Sequence, residues 1–132
     1  MIHTRRSFLK SASAASVVGA PAILTAKTPI FGQKDFRYRV VKDWGVLDEK
    51  TPVNNCHGIV TTGDGHLVLL TDEVRNNVII YDQTGRLVGK WGMSYPGAHG
   101  LSLVVEGDRE VLFITDLKKN LVEKTTLDGE VL

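Results

Sequence analysis

The feature that most constrains this chain is an internal repeat with a spacing of 42 to 44 residues. The entry motif of the repeat recurs after 42 residues, and two later motifs recur after 44 residues. The matched pairs are Asn55-Cys56-His57-Gly58-Ile59 with Gly97-Ala98-His99-Gly100-Leu101, Leu70-Thr71-Asp72 with Ile114-Thr115-Asp116, and Thr84-Gly85-Arg86-Leu87-Val88 with Asp128-Gly129-Glu130-Val131-Leu132. Upstream, residues 39–45 echo residues 86–92, and both segments end in Trp-Gly. Self-similarity of this kind indicates stacked copies of one small structural unit.

Each repeat reads as short β-type runs separated by turn residues, and no helical period is present after the N-terminal segment. The predicted strands are residues 58–61, 66–71, 77–82 and 86–91 in the first repeat, then residues 100–105, 110–115 and 121–126 with the start of a fourth strand at Glu130 in the second. Gly and Asn occupy the intervening turns, where they adopt positive φ at little cost. Four antiparallel strands in a repeat of this length are typical of one β-propeller blade. We therefore predict an all-β chain of propeller blades.

Residue by residue, the first repeat resembles the NHL repeat. The matching residues are Cys56-His57-Gly58-Ile59, Asp64-Gly65, Val68 to Leu70 with Thr71-Asp72, Asn76-Asn77-Val78, Tyr81-Asp82 and Gly85. The resemblance covers about residues 36–132 and implies a propeller, commonly six-bladed, in which the first strand of each blade lines a central channel. Propellers close with at least four blades, so we expect about two of six blades here and an incomplete propeller. Residues 36–45 would then be the outer strand of the last blade.

Alternating apolar residues in the predicted strands are expected to pack one blade against the next. They are Val68, Leu70, Val78, Ile80, Leu112 and Ile114. Cys56 is the only cysteine, which excludes an intrachain disulfide. We expect it to be a small buried residue.

Residues 1–26 have the layout of a removable signal, with a basic start, a short weakly apolar stretch and small residues at its end. The paired arginines and the residues after them resemble a twin-arginine export signal. The residues that carry this match are Arg5, Arg6, Phe8, Leu9 and Lys10. Cleavage after Ala22 and cleavage after Ala26 both fit. The resemblance implies recognition by the twin-arginine export machinery and a mature protein that works in the periplasm or outside the cell, with residues 27–35 as a linker.

The charge of the chain argues against nucleic acid as a partner. The formal net charge is +1, and removing the three basic residues of the signal leaves 13 basic against 15 acidic residues. Binding to nucleic acid depends on neutralising phosphates with clustered Lys and Arg, and no such cluster is present. The apolar stretch of the signal is also shorter than the roughly 20 residues that a membrane span needs. We expect no membrane span in the mature chain.

His57 and His99 occupy equivalent positions at the entrance of the first strand of each repeat, so both are expected near the channel mouth. Imidazole is a common zinc ligand. The segment 95–102 with residues 113–116 resembles the lyase domain that amidates peptides, an NHL propeller whose zinc is held by three histidines. By this resemblance His99 is a zinc ligand, although Gly97-Ala98 is inserted after the proline of the motif. Thr71-Asp72 stands where that family has a functional His-Arg pair.

Three hypotheses for the function follow. The first is an exported propeller that binds a small ligand, a peptide or a protein on its channel face. The second is a zinc-dependent lyase or hydrolase with His57 and His99 as metal ligands, and the third is a sugar-lactone hydrolase with a calcium site. In a purely structural alternative, the two histidines form hydrogen bonds at turns.

Thr71-Asp72 and Thr115-Asp116 are expected to be structural, because an Asp at a strand end accepts N–H bonds from the following turn.

Overall fold

The computed structural model describes residues 29–132, and within them every regular element is a β-strand. The strands are β1 (Ile30–Gln33), β2 (Phe36–Arg39), β3 (Cys56–Thr61), β4 (Leu67–Thr71), β5 (Val78–Tyr81), β6 (Leu87–Trp91), β7 (Ala98–Glu106), β8 (Arg109–Asp116) and β9 (Leu121–Thr126). The chain divides into two compact units between Val40 and Val41. None of these residues forms a helix long and apolar enough to cross a membrane.

The first unit contains an antiparallel hairpin of β1 and β2. Gln33 pairs with Phe36, which leaves a two-residue turn, and Lys34 in that turn has φ of +52°. Tight hairpin turns require such left-handed residues. Two expectations are corrected here. The segment expected as a linker, residues 27–35, carries β1, and residues 36–45 do not form one outer strand, because β2 ends at Arg39 and pairs locally with β1.

The second unit contains two antiparallel sheets. The first sheet has the order β3-β4-β5-β6, and the second has the order β7-β8-β9. All seven strands agree with the predicted strands to within two residues. The fourth strand expected at Glu130 is present only as an isolated bridge between Val131 and Thr125, supported by a 2.9 Å hydrogen bond from Leu132 N to the carbonyl of Lys124.

The core of the second unit lies between the two sheets. Its buried members are Val68, Leu70, Val78, Tyr95, Ala98, Leu112 and Ile114, with Ile80 partly buried beside them. The expectation that the alternating apolar residues form the core is confirmed. Each fully buried aliphatic side chain of this kind contributes about 1.5–3 kcal/mol to stability.

The pairing of the strands changes the equivalence suggested by the sequence repeat. Gly58 pairs with Leu70, whereas its counterpart Gly100 pairs with Thr115. In the second sheet Thr115 therefore occupies the position that Leu70 has in the first sheet. The sequence repeat had instead matched Leu70 with Ile114, the residue before Thr115. Because a shift of one residue turns a side chain to the other face of a strand, Leu70 and Ile114 lie on opposed faces of the two sheets and enter the same core.

The glycine of the repeated His-Gly motif permits close approach of β3 and β7. A Cβ atom at Gly58 would lie 2.5 Å from the Cβ of Leu101. Such a distance is far below normal van der Waals contact. A side chain at this position would force the two strands apart.

Tryptophan packing explains the upstream echo in the sequence. The indole Nε1 of Trp91 donates a 2.8 Å hydrogen bond to the carbonyl of Leu127, and a Cβ at Gly129 would lie 2.6 Å from the Trp91 ring. In the preceding repeat, a Cβ at Gly85 would lie 1.6 Å from the carbonyl oxygen of Trp44. Trp44 therefore packs against Gly85 in the last turn of the first repeat, and Trp91 packs against Gly129 in the last turn of the second repeat.

Candidate functional site

The candidate site is the pair formed by His57 and His99, which we call the histidine pair. His57 lies in β3 and His99 in β7, and both residues are exposed. Their ring centroids are 4.6 Å apart, and the ring planes differ by 22°. Two residues that are 42 positions apart in sequence thus stack on each other at neighbouring strand starts.

Both histidines are the extra residue of a β-bulge. The pairing of β3 with β4 skips His57 between Cys56 and Gly58, and the pairing of β7 with β8 skips His99 between Ala98 and Gly100. A bulge releases one residue from the ladder and redirects its side chain, and bulges are over-represented next to active sites. The strand pattern of the sequence alone does not predict these bulges. The repeated His-Gly at a strand start was the available signal for them.

Two aspartates hold the segment that leads into each histidine. The carboxylate of Asp72 accepts two 3.0 Å hydrogen bonds from Asn55, one from its main-chain N–H and one from its side-chain amide. In the second repeat Asp116 accepts a 3.0 Å bond from Gly97 N and a 2.8 Å bond from Lys119 N. The structural role expected for these aspartates is confirmed. For Asp72, however, the donor precedes β3, and it is Thr71 Oγ1 that accepts from the following turn, at Glu73 N.

The same contacts keep both carboxylates ionised. The pKa of Asp72 is lowered first by the hydrogen bond from the Asn55 side chain, with smaller contributions from the nearby His57 and Lys118. At Asp116 burial alone would raise the pKa, but main-chain N–H bonds from Gly97, Lys119 and Lys118 outweigh burial and lower it. The histidine pair therefore lies near the Asp72 carboxylate, which in turn interacts with Lys118.

Cys56 does not take the buried position expected for it. The residue is exposed, and its Sγ lies 3.4 Å from the carbonyl oxygen of Asn54. It sits on β3, an edge strand of the first sheet, where one side of the strand has no neighbour in that sheet. Partial desolvation nevertheless raises the pKa of the thiol. Cys56 is therefore protonated at neutral pH, and a protonated thiol is a poor nucleophile and metal ligand.

The described residues do not form a complete zinc site. Zinc needs nitrogen ligands at about 2.0–2.1 Å, usually four donors in a tetrahedron. The lone pair of an imidazole lies in its ring plane, so the nearly parallel rings of His57 and His99 direct their lone pairs side by side and not toward one ion. At least one ring would have to rotate before both could bind the same metal. Within residues 29–132, no group of three His, Cys, Asp or Glu side chains is arranged to hold a metal ion.

Arg75 forms an ion pair within its own turn. It is the arginine closest in sequence to Thr71-Asp72, the position of the lyase family's functional His-Arg pair. Its Nε and Nη2 donate to Glu73 at 2.8 and 2.9 Å. Bidentate pairing of this kind fixes the guanidinium group. Arg75 is thus directed to Glu73.

The residues of the expected export signal, from Arg5 and Arg6 to Phe8, Leu9 and Lys10, lie outside the described residues. The expected cleavage positions lie outside them as well. Comparisons with protein-family models, with curated proteins and with solved structures found no match to this chain.

Proposed function

We propose that this chain is part of an exported NHL-repeat β-propeller that binds a ligand, a peptide or a protein at the end of its sheets where the histidine pair lies. The observation that carries the proposal is the stacking of His57 and His99 at a centroid distance of 4.6 Å while both remain exposed. The blade interpretation is supported by two successive antiparallel sheets that pack face to face through one core.

The chemistry of the pair favours recognition of a ligand over a purely structural role. An exposed stacked pair contributes little to the core, yet two bulges and two aspartate contacts position it. Imidazole both donates and accepts hydrogen bonds and presents an aromatic face. Asp72 and Lys118 add charges of both signs nearby. A polar ligand with a planar group fits such a surface.

The test of this proposal is a ligand-observed NMR screen of polar aromatic fragments, with hits mapped on the amide spectrum of the chain. We expect saturable changes concentrated at the starts of β3 and β7, and loss of those changes in the variant His57→Ala/His99→Ala. His66→Ala is the matched control, because His66 precedes β4 at the other end of the first sheet. Hits that map elsewhere, or that bind the double variant equally well, would contradict the proposal.

A second candidate is a zinc-dependent lyase or hydrolase that resembles the peptide-amidating lyase. It is favoured by one observation, namely that His99, the residue matching that family's zinc ligand, lies beside a second histidine, and rotation of one ring would let both bind the same ion. Two imidazoles leave zinc with unfilled coordination positions. Further ligands would therefore have to come from outside the described residues.

This candidate is tested by loading the full-length protein with zinc and measuring bound metal by elemental analysis. We expect metal in the wild type, a marked loss in His99→Ala, and no loss in the control His66→Ala. Absence of zinc from the wild type, or retention in His99→Ala, would remove the catalytic candidate. The binding-module proposal would be unaffected by that result.

A further inference from the structure

A cavity of about 360 Å³ lies in the second unit, at the opposite end of β3 from His57. Its apolar lining comes from Val68 and Ile80 in the first sheet, Val88 in β6, and Leu127 after β9. Small-molecule sites have volumes of about 300–1,000 Å³ and are mostly apolar with a few placed polar groups. The cavity is within this range and is bordered by residues of the first sheet and of the turn after β9.

The polar part of the lining is acidic. Asp64 and Asp128 contribute carboxylates, Thr62 and His66 complete the polar lining, and none of the described residues that line the cavity is a Lys or an Arg. Asp64 is held in place, because Thr62 Oγ1 donates to its Oδ1 at 2.5 Å and His66 Nδ1 lies 2.8 Å from its Oδ2. The Thr62 hydrogen bond is the main reason that the pKa of Asp64 falls to about 2. This carboxylate therefore carries its charge at every physiological pH.

The loop that carries Asp64 is tied to the second sheet as well as to the first. Gly63 N donates a 2.7 Å hydrogen bond to Glu110 Oε1, and Gln83 Nε2 lies 3.4 Å from the carbonyl oxygen of Asp64. Gly65 in the same turn has φ of +88°, a left-handed conformation that suits glycine. These contacts position the loop of Asp64 before any ligand arrives. A preorganised site loses less entropy when it binds.

We propose that this cavity binds a small organic cation, with a primary ammonium group between Asp64 and Asp128 and a short alkyl chain over Val68 and Ile80. The apolar floor favours a hydrocarbon group, and two carboxylates against a single histidine in the lining favour a positive charge. A bare metal ion is a poorer occupant, because the described residues hold no group of three suitable ligands. This site is separate from the histidine pair and does not depend on its proposed function.

The proposal is tested by titrating the 132-residue chain with n-hexylammonium and following its amide spectrum. The neutral analogue 1-hexanol and the anion hexanoate serve as comparison ligands. Saturable changes are expected at Gly65 and Gly89, which lie in the turn and in the cavity lining. Binding should be strongest for hexylammonium, weaker for hexanol and weakest for hexanoate. Equal affinity for the three ligands, or no saturable change at these glycines, would overturn the proposal.

Two substitutions separate the charge from the apolar lining. Asp128→Asn is expected to weaken hexylammonium about two- to fivefold, as expected for one exposed charge pair, and to leave hexanol unchanged. Asp108→Asn, in the exposed turn between β7 and β8, is the matched control and should change the affinity for neither ligand.

Val88→Phe, at a partly exposed position of the wall, should weaken the binding of both hexylammonium and hexanol by filling the cavity. A dispersed amide spectrum shows that each variant is folded, and an unchanged affinity in Val88→Phe would place the ligand elsewhere.

Discussion

The side-chain amide of Asn77 forms two hydrogen bonds with the main chain of Tyr95: Nδ2 donates to the carbonyl at 2.9 Å, and Oδ1 accepts from the N–H at 3.0 Å. Asn77 is fully buried, and its Nδ2 also donates to the carbonyl of Thr71 at 3.0 Å. One side chain thus joins the end of β4 to the segment that leads into β7. That segment carries His99, so Asn77 connects the core of the first sheet to the candidate site.

Replacing Asn77 with Ala should destabilise the chain by about 2–4 kcal/mol, because three buried hydrogen bonds to the main chain of Tyr95 and Thr71 are lost. Urea unfolding followed by circular dichroism measures this change. Asn54→Ala, at an exposed position before β3, is the control and should shift stability by less than about 0.5 kcal/mol. Similar losses in both variants would show that the Asn77 bonds add little.

Gly58→Ala should destabilise the chain by about 1–3 kcal/mol, because the new methyl group would collide with the Cβ of Leu101. The same change should alter the NMR signals of the His57 and His99 rings, since it separates β3 from β7. Gly45→Ala is the matched control, because a Cβ there meets only ordinary contacts at 3.5 Å with Tyr81. Unchanged ring signals in Gly58→Ala would show that the approach of the strands does not set the histidine stacking.

Trp91→Phe should cost about 0.5–1.5 kcal/mol of stability, because it keeps an aromatic ring but removes the hydrogen bond to the carbonyl of Leu127. Gly129→Ala should cost more, since Gly129 has φ of +91° and its new Cβ would meet the Trp91 ring at 2.6 Å. Both free energies can be measured by urea unfolding. If Gly129→Ala were neutral, the described packing of Trp91 on this turn would be wrong.

The turn after β5 should depend on pH through Asp82. The hydrogen bond from the Thr84 side chain is the main reason that the pKa of Asp82 falls to about 2. Because the pKa is lowered in the folded chain, the turn is fully stabilised above the ordinary Asp pKa of about 4, and this stabilisation is lost as the pH falls toward 2. The ¹³C carboxyl shift of Asp82 should titrate in that lower range. Thr84→Val should raise its midpoint, whereas Thr84→Ser should retain it, and equal midpoints in the two variants would contradict the role of the hydroxyl.

Replacing Arg5 and Arg6 together with Lys should leave the protein in the cytoplasm, because the twin-arginine machinery recognises the paired arginines. Cell fractionation and immunoblotting measure the exported share. The control carries Lys27→Arg and Lys34→Arg, two equally conservative changes outside residues 1–26. Export that continues at the wild-type level in the Arg5/Arg6 variant would remove the signal hypothesis.

The positions of the strands and the core of the second unit were predictable from the sequence. Turn residues such as Gly65 and Gly85 interrupt the chain locally, and the alternation of Val68 with Leu70 marks one face of a strand. Both signals are local, since they depend on the φ preference of single residues and on the two-residue period of a strand. The recurrence of the His-Gly motif after 42 residues also placed His57 and His99 at equivalent strand starts.

What only the tertiary structure decided is how separate strands pair and which side chains then meet. The bulges at His57 and His99, and the one-residue change that puts Thr115 in the position of Leu70, depend on hydrogen bonds between segments distant in sequence. The exposure of Cys56 depends in the same way on which distant segments pack over the start of β3. Local propensity does not encode these outcomes, because a ladder can shift by one residue without changing any single residue's preference for β structure. Contacts between distant segments, such as those of Asn77 with Tyr95, exist only once the chain has folded.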